Sequence, residues 1–370
     1  MDRKTIVKER LIKLRNLMEM EGLDAVLLRK RRSFSWVTGG KVNHIVQTTE
    51  MGVADLLIFP DRQYCITTKM EAARIEEEEL EGLRFEMISP EWYEGTEETI
   101  RKMVKGKRIG VDVPLDTISG IEGKEISQKL AELAYVLEPF EIEHYRELSQ
   151  TTAHALESTA KEIERGMSEF EIQAILAKKL MAKGINPQVL LVATDERIYR
   201  YRHPIPTEKK LDRYAMIVVC GEKWGLVTNA TRFVHFGSLP KEIDENRRKL
   251  VKIDLAFNLA TRPGVPIKEI FQKGIDMYRQ VGHGDDWHFL HQGGPTGYAS
   301  REFLATPTSV GVVHVNQAFA WNPAIRGIKS EDTILVGEQE NEFLTHTGNW
   351  VYLTVEKEGK IYQRPDILIR

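Results

Sequence analysis

A histidine held between prolines is the first residue in the chain with an evident chemical use. In Tyr201-Arg202-His203-Pro204-Ile205-Pro206 the prolines enforce an extended path and present the His203 imidazole on a loop. An imidazole in that setting can move a proton near neutral pH, or it can bond a backbone carbonyl and serve the fold. Further on, His288 and His291 precede the run Gln292-Gly293-Gly294-Pro295-Thr296-Gly297-Tyr298, and Asn322-Pro323 and Glu331-Asp332 follow. Glycine at 294 leaves room for the backbone to approach a ligand closely. Cys220 reads as a small buried hydrophobe, with nothing beside it to lower a thiol pKa. Arg29-Lys30-Arg31-Arg32 is the one basic cluster. It is either a solvated loop or the source of an arginine that reaches a substrate carboxylate.

These residues need a frame, and Tyr214 to Gly237 supplies its centre. Met216 to Cys220 is an apolar, mostly β-branched run, and Leu226 to Phe236 is a second strand-like run. Gly221-Glu222-Lys223 between them has turn composition, so the spacing predicts a β-hairpin. Upstream, a long helix is expected from about Ile142, with Leu148, Thr152, Ala155, Leu156 and Ile163 on one face and Gly166 as its stop. Ser168 and Glu171 form a capping box for the next helix, carried by Ile172, Ile175, Leu176 and Leu180. Pro139 breaks the preceding pattern and favours an extended residue before it, which divides the chain into 1–138 and 139–370. In the first part, helical Lys8–Glu21 stops at Gly22 and strand Asp24–Leu28 follows. Strand Leu56–Phe59, acidic helical Met70–Leu80, strand Arg108–Val113 and helical Glu125–Leu133 continue the alternation. That pattern indicates an α/β domain with a mixed or parallel sheet, and Glu76–Glu79 as a solvated helix face.

Composition bounds the function. Hydrophobic content of 42%, charged content of 29% and a formal net charge of −3 describe an ordinary globular chain, with nothing that favours nucleic acid or a membrane surface. Two cysteines are too few for a disulfide framework and fit a reducing cytoplasm. The charged start MDRKTIVKERL lacks the apolar core of a signal peptide, and no apolar run reaches membrane-spanning length.

The hairpin resembles the metal-binding hairpin of the pita-bread enzymes: creatinase, aminopeptidase P, prolidase and methionine aminopeptidase. Their pattern is roughly D-x-G-x-x-x-x-G-Y-x-S-D-x-T-R, and Gly225, Thr228, Thr231 and Arg232 match it without a gap. The second ligand aspartate falls on Asn229 and the first, eleven residues earlier, on Val218. His291 to Tyr298 is similar to the family segment H-x-x-G-H-x-x-G, in which the ligand histidine falls on Gly294. Phe319 to Pro323 matches x-x-x-E-P with Asn322 at the glutamate, and Lys329 to Thr333 matches R-x-E-D-T with Glu331 at the bridging ligand. Phe34-Ser35-Trp36-Val37-Thr38-Gly39-Gly40 resembles the aromatic-x-T-G segment of the creatinase N-terminal domain. The fold class implied is an α/β creatinase-type N-terminal domain followed by an α+β pita-bread domain. The resemblance also implies a homodimer, across which an arginine of the 29–32 cluster could serve a partner's site.

The same resemblance implies that four carboxylates and a histidine hold two divalent ions, which bring a bound water's pKa down to about 7. Of that set only Glu331 remains here. One carboxylate cannot neutralise two buried dications, so no dinuclear metal site and no metal cofactor are expected. Three readings stay open. The first is a metal-independent hydrolase of a C–N bond in a small amide or amidine. In it His203 is the acid/base, Glu331 and His291 assist, and Thr228, Asn229, Tyr298, Asn322 and Arg232 bind the substrate, a small molecule or short peptide. Creatine itself is not supported, because the creatinase glutamates that hold its guanidinium have no match. The second is a non-catalytic binding or regulatory protein on an enzyme scaffold. The third is an Xaa-Pro-type metallopeptidase with ligands relocated to Glu222, His288, His291 or Glu338.

Overall fold

The computed structural model describes residues 2–114, 120–357 and 359–370. It separates into two compact units, Met1–Ala134 and Tyr135–Arg370. The division falls a few residues before Pro139, because that proline does not lie in a linker but starts a helix.

The first unit contains α1 (Arg3–Glu21), β1 (Ala25–Lys30), α2 (Arg31–Thr38), β2 (Met51–Ile58), β3 (Gln63–Thr67) and α3 (Lys69–Arg74). It continues with β4 (Glu86–Ile88), α4 (Glu97–Met103), β5 (Ile109–Val111), β6 (Gly123–Glu125) and α5 (Ser127–Ala134). Its six-stranded sheet has the order β4-β3-β2-β1-β5-β6 and mixes parallel and antiparallel pairs. Ala25, Leu27, Leu57, Ile66, Ile109 and Val111 fill its core with Ile100 of α4. The expected acidic helix over Met70–Leu80 widens into a π-helical turn at Ile75–Glu79, and Glu79 is buried rather than solvated. The basic cluster is not a loop. Arg29 and Lys30 end β1, where their backbone N–H groups donate to the buried Asp112 carboxylate at 2.8 and 2.9 Å, and Arg31 opens α2. Arg29 pairs with Asp55 at 3.1 Å, Lys30 with Glu50 at 2.9 Å, and Arg31 donates to Gln47 O at 2.9 Å.

In the second unit α6 (Pro139–Glu162) begins with proline at a first-turn position, where its missing N–H has no helical partner to lose. α7 (Glu169–Met181) has the expected Ser168–Glu171 capping box. Then come β7 (Asn186–Thr194), α8 (Glu196–Arg200), β8 (Tyr214–Lys223), β9 (Leu226–His235), α9 (Lys241–Ala260) and α10 (Ile267–Gln280). After a 3₁₀ turn at Asp286–Phe289 come the strands β10 (Gly293–Thr296), β11 (Ala318–Trp321), β12 (Ala324–Ile325), β13 (Ile328–Lys329), β14 (Asp332–Leu335), β15 (Glu342–Phe343), β16 (Tyr352–Lys357), β17 (Lys360–Pro365) and β18 (Leu368–Ile369). Two four-stranded sheets, β18-β9-β8-β7 and β10-β11-β14-β15, carry the chemistry-bearing residues. The core between helices and strands holds Val218, Phe233, Phe257, Phe271, Phe319 and Trp321.

The hairpin is β8–β9, but its turn is Trp224-Gly225 and not Gly221-Glu222-Lys223, which continue β8. A two-residue turn of type I′, whose twist matches that of the strands, requires φ > 0 at both positions. Gly225 adopts φ 77° without strain and Trp224 accepts φ 56°, its ring stacked on His144 at 4.3 Å.

Candidate functional site

Strand alternation decides which hairpin residues meet. Register pairs Val218 with Thr231 and Cys220 with Asn229, so these four side chains share one face. Ile217 pairs with Arg232 and Gly221 with Thr228 on the other. The second sheet adds its own row. β11 and β14 pair through Trp321↔Asp332, and one step further Ser330 N–H donates to Pro323 O at 3.0 Å, which sets Asn322 opposite Glu331. Thr231 ties the two sheets together: its N–H donates to Glu331 O at 3.1 Å and its hydroxyl to Glu331 Oε2 at 2.7 Å.

Glu331 is the centre, and it is claimed by two cations. Lys329 Nζ lies 2.8 Å from Oε2 and an Arg301 guanidinium nitrogen 2.8 Å from Oε1. All three side chains are buried, with 6%, 9% and 3% of the Lys329, Arg301 and Glu331 side-chain surface exposed. Burial alone would raise the Glu331 carboxyl, but Lys329 and Arg301 outweigh it and hold it down to about 2. Two cations on one carboxylate leave one positive charge in excess.

The imidazoles stand beside this cluster. The His203 and His291 rings are 5.6 Å apart. Burial, then Arg301 and Lys329, push His291 down to about 4. Burial, then Lys329, lower His203 as well, against the opposing pull of Glu331. Both shifts favour the neutral imidazole. Four buried side-chain atoms of the region have no hydrogen-bond partner: Asn229 Oδ1, Asn322 Oδ1, His291 Nδ1 and Arg301 Nε. Each such atom calls for an explanation, and a ligand or an ordered water that completes it is one. The Cys220 thiol, opposite Asn229, is pushed up to about 12 by burial and then by Glu331, so it is an inert wall.

Glycines shape the floor. A Cβ on Gly293 would lie 2.1 Å from Ala320 O and 2.8 Å from Asn322 Oδ1. One on Gly294, at φ 153°, would lie 2.6 Å from Phe303 O. The 303–305 segment thus occupies the space a histidine at 294 would need.

The residues present do not fit two divalent ions. Val218, 3% exposed, is embedded in the apolar core, and Gly294 offers no donor. Asn229 and Asn322 are neutral, and Glu331 is already neutralised by protein cations. Among the described residues no three His, Cys, Asp or Glu side chains converge as a metal would require. Glu222 accepts from Asn186 Nδ2 at 3.0 Å beyond the pocket end of the hairpin, while His288 and Glu338 are exposed.

Of the residues the sequence points to, the structure therefore gathers His203, His291, Asn229, Asn322 and Glu331. It does not gather Thr228, Arg232 and Tyr298. Thr228 accepts from Ser149 Oγ of α6 at 2.9 Å on the reverse face. Arg232, 1% exposed there, donates to Asp332 Oδ1 at 3.0 Å and Thr345 O at 2.9 Å and pairs with Glu157 at 3.4 Å. Tyr298 turns its hydroxyl to Glu141 Oε1 at 2.6 Å. Sequence reasoning missed Lys329, which sits in a quoted motif, and Arg301, which no motif marks.

Comparison with known proteins agrees with this architecture. Residues 143–338 match metallopeptidase family M24, and residues 10–140 match the creatinase/prolidase N-terminal domain. A prolidase from Pyrococcus horikoshii superposes with a TM-score of 0.79 at 18% identity, over 92% of this chain and 98% of that one. An X-Pro aminopeptidase from Thermotoga maritima gives 0.75 at 21% identity, over 91% and 97%. An uncharacterized peptidase of Staphylococcus haemolyticus is 24% identical over 234 residues, which span 60% of this chain and 66% of that relative, just under two thirds of its length. With its pita-bread sheets, its creatinase-type first unit and the family match over more than half its length, the chain belongs to metallopeptidase family M24.

Proposed function

We propose that this M24 member is a metal-independent hydrolase that cleaves a C–N bond in a small amide- or amidine-type substrate, with His203 as acid and base. The observation that carries the reading is the Lys329–Glu331–Arg301 cluster beside a neutral imidazole. His203 Nδ1 or Nε2 takes a proton from water as the oxygen adds to the substrate carbon. The imidazolium then gives that proton to the departing nitrogen. The excess positive charge of Lys329 and Arg301 stabilises the negative charge that develops on the substrate's oxygen. Asn229 and Asn322 orient the substrate by accepting from its N–H groups through their unpartnered Oδ1 atoms. Glu331 keeps both cations in place.

A second reading, binding without turnover, draws on Val218: its burial in the core narrows the space that substrate and water would share.

A screen of small amides, amidines and Xaa-Pro dipeptides with chelator-treated protein separates the two. Turnover that survives chelation and falls roughly a hundredfold to ten-thousandfold in His203→Ala supports the hydrolase. Turnover that requires stoichiometric Mn, Co or Zn overturns metal independence. No turnover with any substrate favours the binding protein.

A further inference from the structure

The charge at the centre of the pocket has a direction. Two buried cations face one buried carboxylate, and the neighbouring imidazoles add nothing at pH 7. A buried positive charge without a partner is costly, and it repels a ligand ammonium as strongly as it attracts an anion. Around it stand acceptors that lack donors, Asn229 Oδ1 and Asn322 Oδ1. Arg301 Nε, also buried, is a donor without an acceptor. Asn229 lies two residues from Thr231, the residue that touches Glu331, so its amide sits about 7 Å along the strand from the ion cluster. Asn322 is directly across from Glu331, with side chains about 5 Å apart.

We infer that this pocket selects a small acid that also carries an N–H group. Its anionic end meets Arg301 and Lys329, and its amide N–H donates to the Oδ1 of Asn229 or Asn322. An N-acylated amino acid has this chemistry at this spacing, and a ligand that would bring a free ammonium group to the centre is rejected. The inference builds on the proposed function by naming the class of ligand, but it concerns binding and holds whether or not turnover follows.

Ligand-observed NMR titration of the full-length protein at pH 7 tests it with four probes: N-acetylglycine, acetate, N-acetylglycinamide and glycinamide. N-acetylglycine is expected to bind at least about tenfold more tightly than acetate, which lacks the N–H, and than the neutral amide, which lacks the charge. Cationic glycinamide is expected not to bind, and added salt to weaken the acid alone. Lys329→Gln is expected to lose about tenfold for N-acetylglycine with no loss for the neutral amide. Glycinamide binding as tightly as N-acetylglycine, or equal affinity of acid and neutral amide, overturns the inference. The wild-type series decides the matter even if the Lys329 variant fails to fold. Absence of hydrolysis would sink the proposed function and leave this selectivity intact.

Discussion

The two faces of the β8–β9 hairpin solve opposite problems with residues one position apart. On the reverse face Arg232 is held by Glu157, Asp332 and Thr345 O, and Thr228 bonds Ser149. Arg364 joins the same network, 2.8 Å from Asp332 and paired with buried Asp254. Two arginines there lie among three carboxylates, so the excess is negative, and the network holds hairpin, α6 and β14 in one arrangement. On the pocket face two cations meet one carboxylate, so the excess is positive, and the Oδ1 atoms of two asparagines lack donors. Hydrogen-bonded polar groups hold a fold, whereas a buried acceptor without a donor is open to a ligand or a water.

The comparison predicts where substitutions hurt. The largest effect on stability is expected on the reverse face. Arg232→Met strips Asp332 and Glu157 of their shared cation and should destabilise the protein by about 3 to 5 kcal/mol. A denaturant midpoint that barely moves would show that the network is not what holds the hairpin.

On the pocket face, Gly294→His replaces the residue at the ligand position. The added Cβ collides with Phe303 O, so a loss of about 1 to 3 kcal/mol is expected, with no gain of stoichiometric Mn in metal analysis. A stable variant that takes up two ions would mean that the 303–305 segment yields easily and that the frame still fits metal.

Thr231→Val removes the 2.7 Å hydroxyl from Glu331 while its two cations remain. About 1 kcal/mol should be lost in thermal or chemical unfolding, and less than in the Arg232 variant. A loss as large as that of Arg232→Met would erase the distinction between the faces.

A further test lies in the pH dependence. His291, lowered to about 4 in the folded protein from 6.5, is protonated more readily when unfolded, so stability falls as pH drops from 6.5 towards 4. Glu331, depressed from 4.5 to about 2, contributes stability above 4.5 that is lost as pH falls towards 2. Denaturation of His291→Asn across pH 4 to 6.5 should show a shallower slope than the wild type. An unchanged slope would place the acid sensitivity elsewhere.

Much of this could be seen in the chain before folding. Apolar periodicity marked α6 and α7, the Ser168–Glu171 box marked the start of α7, and two β-branched runs marked the hairpin. Alternation along β9 already separates Thr228 and Arg232 from Asn229 and Thr231. Grouping Thr228, Asn229 and Arg232 in one pocket overlooked a period of two that needs no structure. The short edge strand β4 and the π-helical turn at Ile75–Glu79 left weaker marks, because three to five residues carry too little pattern.

What the sequence determines by itself is local: which stretches alternate, where helices are capped, and which positions of a motif carry Val218, Asn229, Gly294, Asn322 and Glu331. What surrounds Glu331 was decided by tertiary structure. Arg301 lies thirty residues from it in the chain and reaches it only because its loop is pinned back by Glu302 N–H on Pro295 O and Ala305 N–H on Gly293 O. Charges act through space, across whatever distance folding leaves between them, so the pocket's sign could not be summed until the loop had closed.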